Sequence, residues 1–256
     1  MSSPAISRDP ILRTERLTCD FGALRAVSGV SLSVERGTLH SVIGPNGSGK
    51  TTLFNLISGE TRPTDGRVYF EGRDVTGRPS HDLPHLGLAR CFQRSNLFPK
   101  LTAYENVWVA AFSRRTPGAL GFLGRASDFS AVDAEARRIL GEVGLAHKLP
   151  ARAETLSHGE SRALEVGVTL AASPRLVLLD EPTQGLAPEA TQHMTRLVQS
   201  LVGRYTILLI EHKMRVVMSI SDRISVMAFG EVIAEGTPHE VRENRDVQRA
   251  YLGGRR

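Results

Sequence analysis

Hydrophobic positions in this chain form short runs that alternate with segments of helical period. Apolar and polar residues alternate over 26–34, as in a half-buried strand. Continuous apolar runs, which are typical of buried parallel strands, end in polar residues at two places late in the chain. A late hairpin is predicted around Gly230, where turn residues separate two short strands. The predicted strands are 26–34, 39–43, a strand within 62–72, 175–179, 205–210, 223–227 and 231–236.

Helical patterns fill the intervals between these strands. Thr102 lies three residues before Glu105, a spacing that predicts a capping box at the start of a helix. Pro188 is placed for the first turn of another helix. Strands that alternate with helices predict an α/β domain with a mainly parallel sheet. The predicted helices cover 49–58, 101–112, 133–145 and 187–202.

The stretch from about 85 to 172 is predicted to be mostly helical, with one dominant loop at 113–127. This pattern indicates a helical sub-domain, roughly 94–172, inserted in one large domain that spans 11–256. Residues 1–10 are expected to form a flexible tail.

Composition agrees with an ordinary globular protein: 256 residues, 41% hydrophobic, with a formal net charge of +5. The mild basic excess favours anions in general. Cys19 and Cys91 are far apart and are expected to be reduced thiols. No apolar run approaches the roughly 18 residues of a membrane helix, and the N-terminus lacks a secretory pattern. The protein is therefore expected in the cytosol or docked on a membrane from that side.

The nonapeptide GPNGSGKTT follows a predicted strand and opens a predicted helix. It matches the phosphate-loop pattern, in which glycines let backbone N–H groups encircle a phosphate chain at a helix N-terminus. Lys50 can reach the β- and γ-phosphates, the Thr51 hydroxyl can ligate Mg²⁺, and Thr52 can contact the α-phosphate. The plain alternative is a glycine turn that only caps a helix. The predicted nucleotide-binding residues here are Gly44, Pro45, Asn46, Gly47, Ser48, Gly49, Lys50, Thr51 and Thr52.

Acidic and polar residues follow two of the apolar strands. Asp180 is a candidate Mg²⁺ ligand, and Glu181 is a candidate general base for an attacking water. His212 follows the 205–210 strand and can hydrogen-bond the γ-phosphate or that water. Gln93 is a further candidate for sensing the γ-phosphate and contributing to the metal site with Thr51. The plain alternatives are polar strand-end loops and a surface histidine.

The segment LSHGE at 156–160 lies before the acidic strand. Its Ser157 and Glu160 also satisfy an ordinary capping box. With the phosphate loop, the acidic strand and His212 in this order, nearly the whole chain resembles the ATP-binding-cassette ATPases. In that family the corresponding signature loop is usually L-S-G-G-Q.

The resemblance implies two cassettes that sandwich two ATP molecules head to tail. Each ATP would lie between the phosphate loop of one cassette and Ser157–Gly159 of the other. The resemblance also assigns adenine stacking to Phe21, the loop that contacts membrane subunits to Gln93, the catalytic base to Glu181 and the switch histidine to His212. ATP and Mg²⁺ are the expected cofactors.

Three further segments narrow the resemblance: LARCFQRSNLFPKLTAYENV, the loop at 113–127, and NRDVQRAYLG. Together with SHGE they look like the ATPases of branched-chain amino acid importers, a group that also moves amides and urea. Such ATPases work as a pair of related subunits beneath two membrane permeases, with an extracytoplasmic solute-binding protein. The expected location is the cytoplasmic face of the plasma membrane.

Four positions depart from the family pattern. His158 replaces a signature glycine and Glu160 a signature glutamine. Ala187 stands where an Asp or Asn that couples the two sites is common, and Lys213 where an acid is common. None of the four removes a catalytic group.

Two other protein classes remain as alternatives. A soluble cassette protein that acts on nucleic acid or ribosomes would suit the basic charge, but such proteins usually carry two cassettes or a long coiled coil. A small-molecule kinase with a phosphate loop would explain neither the signature loop nor His212. No nucleic acid is expected as a partner.

Overall fold

The computed structural model describes residues 10–91, 97–115 and 126–252 of the chain. These divide into two compact units. The first unit combines Met1–Ser80 with Val202–Arg256, and the second is His81–Leu201. The predicted tail at 1–10 lies almost wholly outside the described residues, and the helical sub-domain at 94–172 stays a prediction.

An antiparallel sheet forms one part of the first unit. Its strand order is β2-β1-β4-β5, and β1 pairs with both β2 and β4 through residues such as Leu12, which lies opposite Val34 and Phe70. The sheet has one apolar face because alternate residues of β1 and β2 are buried. The strands are β1 (Leu12–Phe21), β2 (Leu24–Val34), β4 (Asp65–Phe70) and β5 (Arg73–Asp74).

A mixed sheet forms the other part of the first unit. Within it, β3 (Leu39–Ile43) lies between β8 (Thr206–Ile210) and β9 (Arg223–Ala228) and runs parallel to both. β10 (Glu231–Gly236) pairs antiparallel with β9, which confirms the hairpin predicted around Gly230. All five residues of β3 and of β8 are buried, as their continuous apolar sequences predict.

Four helices accompany the sheets of the first unit in its described part. Three of them contribute Val217, Val241 and Val247 to a buried cluster with Ile43 and Ile224 of the mixed sheet. This core includes Ile43, the last residue of β3. The helices are α1 (Lys50–Ile57), α7 (Met214–Ile220), α8 (Pro238–Glu243) and α9 (Arg245–Leu252).

The second unit contains a pair of parallel strands and a set of helices. β6 pairs with β7 in register from Leu88–Leu176 to Cys91–Leu179. Short 3₁₀ segments cover Ala146–Lys148 and Ala153–Thr155. The elements are α2 (Leu83–Leu86), β6 (Leu88–Cys91), α3 (Ala103–Arg115), α4 (Ala126–Glu142), α5 (His158–Leu170), β7 (Leu176–Asp180) and α6 (Pro188–Leu201).

The structure extends two of the sequence predictions in this unit. The Thr102–Glu105 capping box is present: Thr102 N donates to the Glu105 carboxylate at 2.7 Å, and Glu105 N donates to Thr102 Oγ1 at 3.1 Å. α4 begins at Ala126 rather than 133, so both ends of the predicted loop at 113–127 are helical. The centre of that loop lies outside the described residues.

Stacked aromatic rings join α3 and α4. The Trp108 and Phe112 ring centroids are 4.9 Å apart, and Phe129 stacks against both rings. No helix in the described ranges is long and apolar enough to cross a bilayer. Cys19 and Cys91 are free thiols in the structure, as predicted.

Candidate functional site: a phosphate loop and an acidic strand end

The predicted phosphate loop follows β3 directly and leads into α1, so the structure has the strand–loop–helix order that the sequence predicted. Gly44 opens the loop with φ +155°, and a Cβ at this position would clash with the carbonyl oxygen of Met227. It would also lie 2.6 Å from Ser48 Oγ. Only glycine fits here, because the loop backbone passes this close to β9.

Backbone hydrogen bonds hold the loop against the rest of the first unit. Gly230 N, in the β9–β10 turn, donates to Ser48 O at 3.2 Å. Ser28 N donates to Gly230 O at 2.8 Å, which ties the same turn to β2. Gly49 is the N-cap of α1 with φ +97°, and a Cβ there would clash with Ala26 O. The loop is therefore held by the β9–β10 turn on one side and packed against β2 on the other.

Lys50 is the first residue of α1 and is only 6% exposed. Its Nζ donates to Gly44 O and Pro45 O, both at 2.9 Å, and lies 3.4 Å from Ser48 Oγ. The ammonium group thus lies against the loop backbone at the helix N-terminus. A positive charge and a helix dipole at one point form an anion site.

The remaining loop residues face outward to different degrees. Asn46, Gly47 and Thr51 are exposed, whereas Thr52 is half-buried. Thr51 follows Lys50 in the first turn of α1, where an exposed hydroxyl is accessible to a metal ion that accompanies phosphate.

The C-terminal end of β8 lies at the same edge of the sheet as the loop, because β3 and β8 are parallel and Val42 is opposite Ile210. Glu211 follows β8 and is fully buried. Its Oε2 accepts hydrogen bonds from His212 N at 3.1 Å and Lys213 N at 3.3 Å. This carboxylate therefore fixes the turn that presents the exposed His212. Glu211 was not among the predicted site residues, although an acid next to a continuous apolar strand is a signal for it.

The exposed ring of Phe21 lies at the β1–β2 turn, where Phe21 pairs with Leu24. Phe21 is 53% exposed, so it is accessible to a planar ligand. Arg25 makes two hydrogen bonds to the Asp20 carboxylate, at 2.8 and 3.2 Å. The hydrogen bond from Arg25 holds the pKa of Asp20 below its usual value. This pair stabilises the base of the turn and leaves the ring outside it.

In the second unit, β7 ends at Asp180, whose side chain is 2% exposed. Arg90 of β6 donates from Nη2 to Asp180 Oδ2 at 2.8 Å. The arginine side chain is itself 7% exposed, so the ion pair is buried. Arg90 was not among the predicted site residues, because its partner lies 90 positions later in the sequence.

Glu181, the candidate base, has a left-handed backbone conformation with φ +49°. Such a conformation is uncommon for a residue other than glycine and costs free energy, and it occurs often at functional sites. Gln184 N donates to Glu181 O at 3.0 Å, which closes a turn immediately after the strand. The half-buried Glu181 therefore lies in a sharp turn, and the strand does not continue through it.

The predicted signature segment forms the N-terminus of α5. Ser157 is the exposed N-cap, with Glu160 N donating to its Oγ at 3.3 Å and Ser157 N donating to Glu160 Oε2 at 2.9 Å. These hydrogen bonds, and Lys148 at 3.3 Å, hold the pKa of Glu160 below its usual value. The capping box would accept glutamine as well as glutamate, whereas the ion pair with Lys148 needs the charge of Glu160.

The other signature residues pack closely within the second unit. A Cβ at Gly159 would lie 3.1 Å from the Ala190 Cβ of α6, so a small residue suits this position. His158 Nε2 approaches Gly185, within 3.4 Å of where a Cβ would stand. The histidine that departs from the family pattern therefore lies beside the loop that contains Ala187.

Each unit thus gathers part of the predicted site. The first unit brings together the phosphate loop, Lys50 and the β8 end with His212. The second brings Asp180 and Glu181 to one strand end and places Ser157 at the start of α5. Gln93 lies outside the described residues.

A hydroxyl and a carboxylate suit Mg²⁺, which is usually held in such proteins by one or two carboxylates together with substrate phosphates. Thr51 in the first unit has such a hydroxyl, and Asp180 in the second unit has such a carboxylate. Among the residues that the structure describes, no group of three His, Cys, Asp or Glu side chains forms a self-sufficient metal cage.

Comparisons with known proteins match this site. The family described as ABC transporter matches residues 27–184, and the family described as branched-chain amino acid ATP-binding cassette transporter matches residues 231–256. The chain is 41% identical to the high-affinity branched-chain amino acid transport ATP-binding protein BraF of Pseudomonas aeruginosa, covering 95% of this chain and 98% of that protein. It is 38% identical to LivG of Escherichia coli, which has the same description and the same coverage.

Solved structures agree with the sequence relatives. The ADP conformation of an ATP-binding cassette of an ABC transporter superposes with a TM-score of 0.83, at 34% identity, over 95% of this chain and 99% of that one. A dimeric cassette bound to ADP and Pi superposes with a TM-score of 0.73, at 26% identity, over 89% of this chain and 98% of that one. With a family match over more than half of its length and relatives that cover nearly all of it, the chain belongs to the ATP-binding cassettes of ABC transporters.

Proposed function

We propose that this protein is the ATP-binding and ATP-hydrolysing subunit of an importer for branched-chain amino acids. The observation that carries the proposal is the braced phosphate loop with the buried Lys50 ammonium at the N-terminus of α1. The BraF and LivG descriptions support the choice of cargo.

Phosphate recognition follows from the groups of the first unit. Backbone N–H groups of the loop and the α1 dipole attract the β- and γ-phosphates. Lys50 exchanges hydrogen bonds with loop carbonyls for hydrogen bonds with phosphate oxygens. Phe21 stacks on the adenine ring, which contributes affinity with little sequence-specific hydrogen bonding.

Hydrolysis requires an activated water and compensation of negative charge. Glu181 accepts the proton of the attacking water, and His212 hydrogen-bonds the γ-phosphate. Thr51, Asp180 and Gln93 would hold Mg²⁺, which would supply charge neutralisation for the phosphate groups. The left-handed conformation of Glu181 supports its role, since strain of this kind is retained where function requires it.

The proposal includes a second cassette, identical or related. Ser157 and Gly159 at the N-terminus of α5 contact the γ-phosphate on the phosphate loop of that second cassette. The dimeric cassette with ADP and Pi supports the pairing of two cassettes. Closure over ATP and release after hydrolysis would then drive two membrane permeases from the cytoplasmic face, with an extracytoplasmic binding protein that delivers the amino acid.

Glu181→Gln in the complex with the permeases and the binding protein tests the proposal. We expect ATP binding to be kept and turnover to fall by a factor of about 10² to 10⁴, because the general base is removed while the phosphate site remains. Uptake of leucine into proteoliposomes is expected to stop with it. Glu189→Gln, an exposed acid in the first turn of α6, is the matched control.

Wild-type ATP turnover in Glu181→Gln would contradict the assignment of the base. ATP turnover that urea or short amides stimulate, but branched-chain amino acids do not, would contradict the cargo and leave the ATPase role intact.

A further inference from the structure

The buried ion pair between Arg90 and Asp180 is a part of the second unit that the proposed function does not yet use. Arg90 lies on β6 opposite Leu178 of β7, two residues before the aspartate. The Nη2–Oδ2 distance is 2.8 Å, with the two side chains 7% and 2% exposed. The pair therefore joins the penultimate residue of β6 to the last residue of β7, which is the proposed metal ligand.

Stability alone does not explain a pair of this kind. Removing both charges from water costs several kcal/mol per ion, and apolar replacements of a buried ion pair are often neutral or stabilising. The four residues of β7 before Asp180 are apolar and buried, so an apolar contact was available at this strand end. A fixed carboxylate orientation is what the arginine adds.

We propose that Arg90 is a positioning residue that holds Asp180 for Mg²⁺–nucleotide binding. The hydrogen bond to Oδ2 fixes the carboxylate plane, so that Asp180 would be presented to a metal ion in a single orientation. The inference rests on the proposed function, because Asp180 is the metal ligand there. Arginine suits this task better than lysine, because its guanidinium is longer, planar and always charged.

If Arg90 acted only through its charge, its removal would change metal affinity in the opposite direction from the change expected if it orients Asp180. A positive charge near a metal site repels the cation, so an arginine that acted only through its charge would weaken metal binding. Its removal would then tighten binding. An arginine that orients the carboxylate gives the reverse result: its removal leaves Asp180 misplaced and weakens metal binding.

Mn²⁺ binding to the full-length protein with ADP, followed by electron paramagnetic resonance, separates these cases without any turnover. We expect Arg90→Met to raise the half-saturating Mn²⁺ concentration by about tenfold or more, which corresponds to about 1.4 kcal/mol. Arg90→Lys keeps the charge on a shorter side chain, and we expect an intermediate value. Affinity equal to or tighter than wild type in Arg90→Met would overturn the proposal.

Arg162→Met is the matched control. Arg162 Nη1 donates to Glu165 Oε2 at 2.9 Å, and the two side chains are 14% and 8% exposed, so this is another largely buried arginine–carboxylate pair in the same unit. We expect it to lose stability but to keep wild-type Mn²⁺ binding. Equal losses in Arg162→Met and Arg90→Met would mean a general packing effect, and this too would overturn the proposal.

Arg90→Lys and Asp180→Asn keep the experiment decisive if a variant does not fold or if Asp180 is not a metal ligand. If Arg90→Met does not fold, Arg90→Lys decides alone, and wild-type Mn²⁺ affinity in that variant counts against the proposal. Asp180→Asn tests the metal role of Asp180 separately from the positioning role of Arg90. Unchanged Mn²⁺ binding in Asp180→Asn would refute the metal role of Asp180 in the proposed function. Weak binding in Asp180→Asn with normal binding in Arg90→Met would refute only the role of Arg90.

Discussion

Acidification is expected to destabilise this protein through His40, a buried histidine of β3. His40 Nε2 lies 2.8 Å from Ser225 Oγ, and Ser225 in turn donates to Glu235 Oε2 at 3.0 Å. Since Ser225 uses its proton on Glu235, the imidazole donates from Nε2 in its neutral form. His40 is 1% exposed, and a proton added to its ring would place a charge inside the mixed sheet.

The pKa of His40 is lowered from 6.5 to about 4, mainly by burial; Glu235 opposes this shift and Arg223 contributes to it. The unfolded chain therefore binds more protons than the folded chain between these two values. The stability contribution is complete above the unfolded pKa and is lost as the pH falls towards the folded one. Linkage gives a loss of about 2 kcal/mol between about pH 7.5 and pH 5, and about 3 kcal/mol in all.

Urea unfolding of the wild type and of His40→Gln, each at the two pH values, measures this term. Glutamine can donate to Ser225 but cannot titrate, so we expect the pH-dependent loss to be smaller by about 2 kcal/mol in the variant. The comparison uses the difference between pH values, which removes any general destabilisation by the substitution. His81→Gln, at a histidine whose side chain is 82% exposed, is expected to keep the wild-type pH dependence. Equal losses in the wild type and His40→Gln would refute the reasoning.

Two further predictions, each with a control substitution, separate a loss of stability from a loss of ATP binding or turnover. Ser157→Ala removes the N-cap of α5, and Thr237→Ala removes the equivalent cap of α8, so each is expected to lose about 1 kcal/mol in urea unfolding. Only Ser157→Ala should also reduce ATP turnover, and an unaffected turnover would count against the signature role. Phe21→Ala is expected to weaken ATP binding by about tenfold through lost base stacking, with little effect on stability because Phe21 is 53% exposed. Leu24→Ala, at a 67% exposed residue of the same turn, should leave calorimetric ATP affinity unchanged; similar losses in both variants would argue against stacking.

Local signals in the sequence predicted much of the fold. The strands β3 and β8 are continuous apolar runs, and their complete burial is what such runs require. The capping box formed by Ser157 and Glu160 depends on two residues three positions apart, so it can be predicted without tertiary structure. The phosphate loop is equally local.

Features that depend on distant partners were not predicted. β1 has register shifts between Thr14 and Leu17 and on to Cys19, and these irregularities break the two-residue alternation that identifies a strand. β6 has only four residues and is buried by pairing with β7, so a stretch expected to be mostly helical contains a strand. The role of Arg90 depends on a residue ninety positions away, and no spacing rule connects the two.

Calorimetric titration of the full-length protein with ATP and Mg²⁺ tests the central claim, that the loop from Gly44 to Thr52 binds triphosphate. The account predicts saturable binding to the wild type that Lys50→Ala abolishes, because the buried ammonium of this loop is lost. Lys100→Ala, at an exposed lysine, is the matched control and should bind as the wild type does. Equal ATP affinity in the wild type and Lys50→Ala, or no binding to either, would contradict the account.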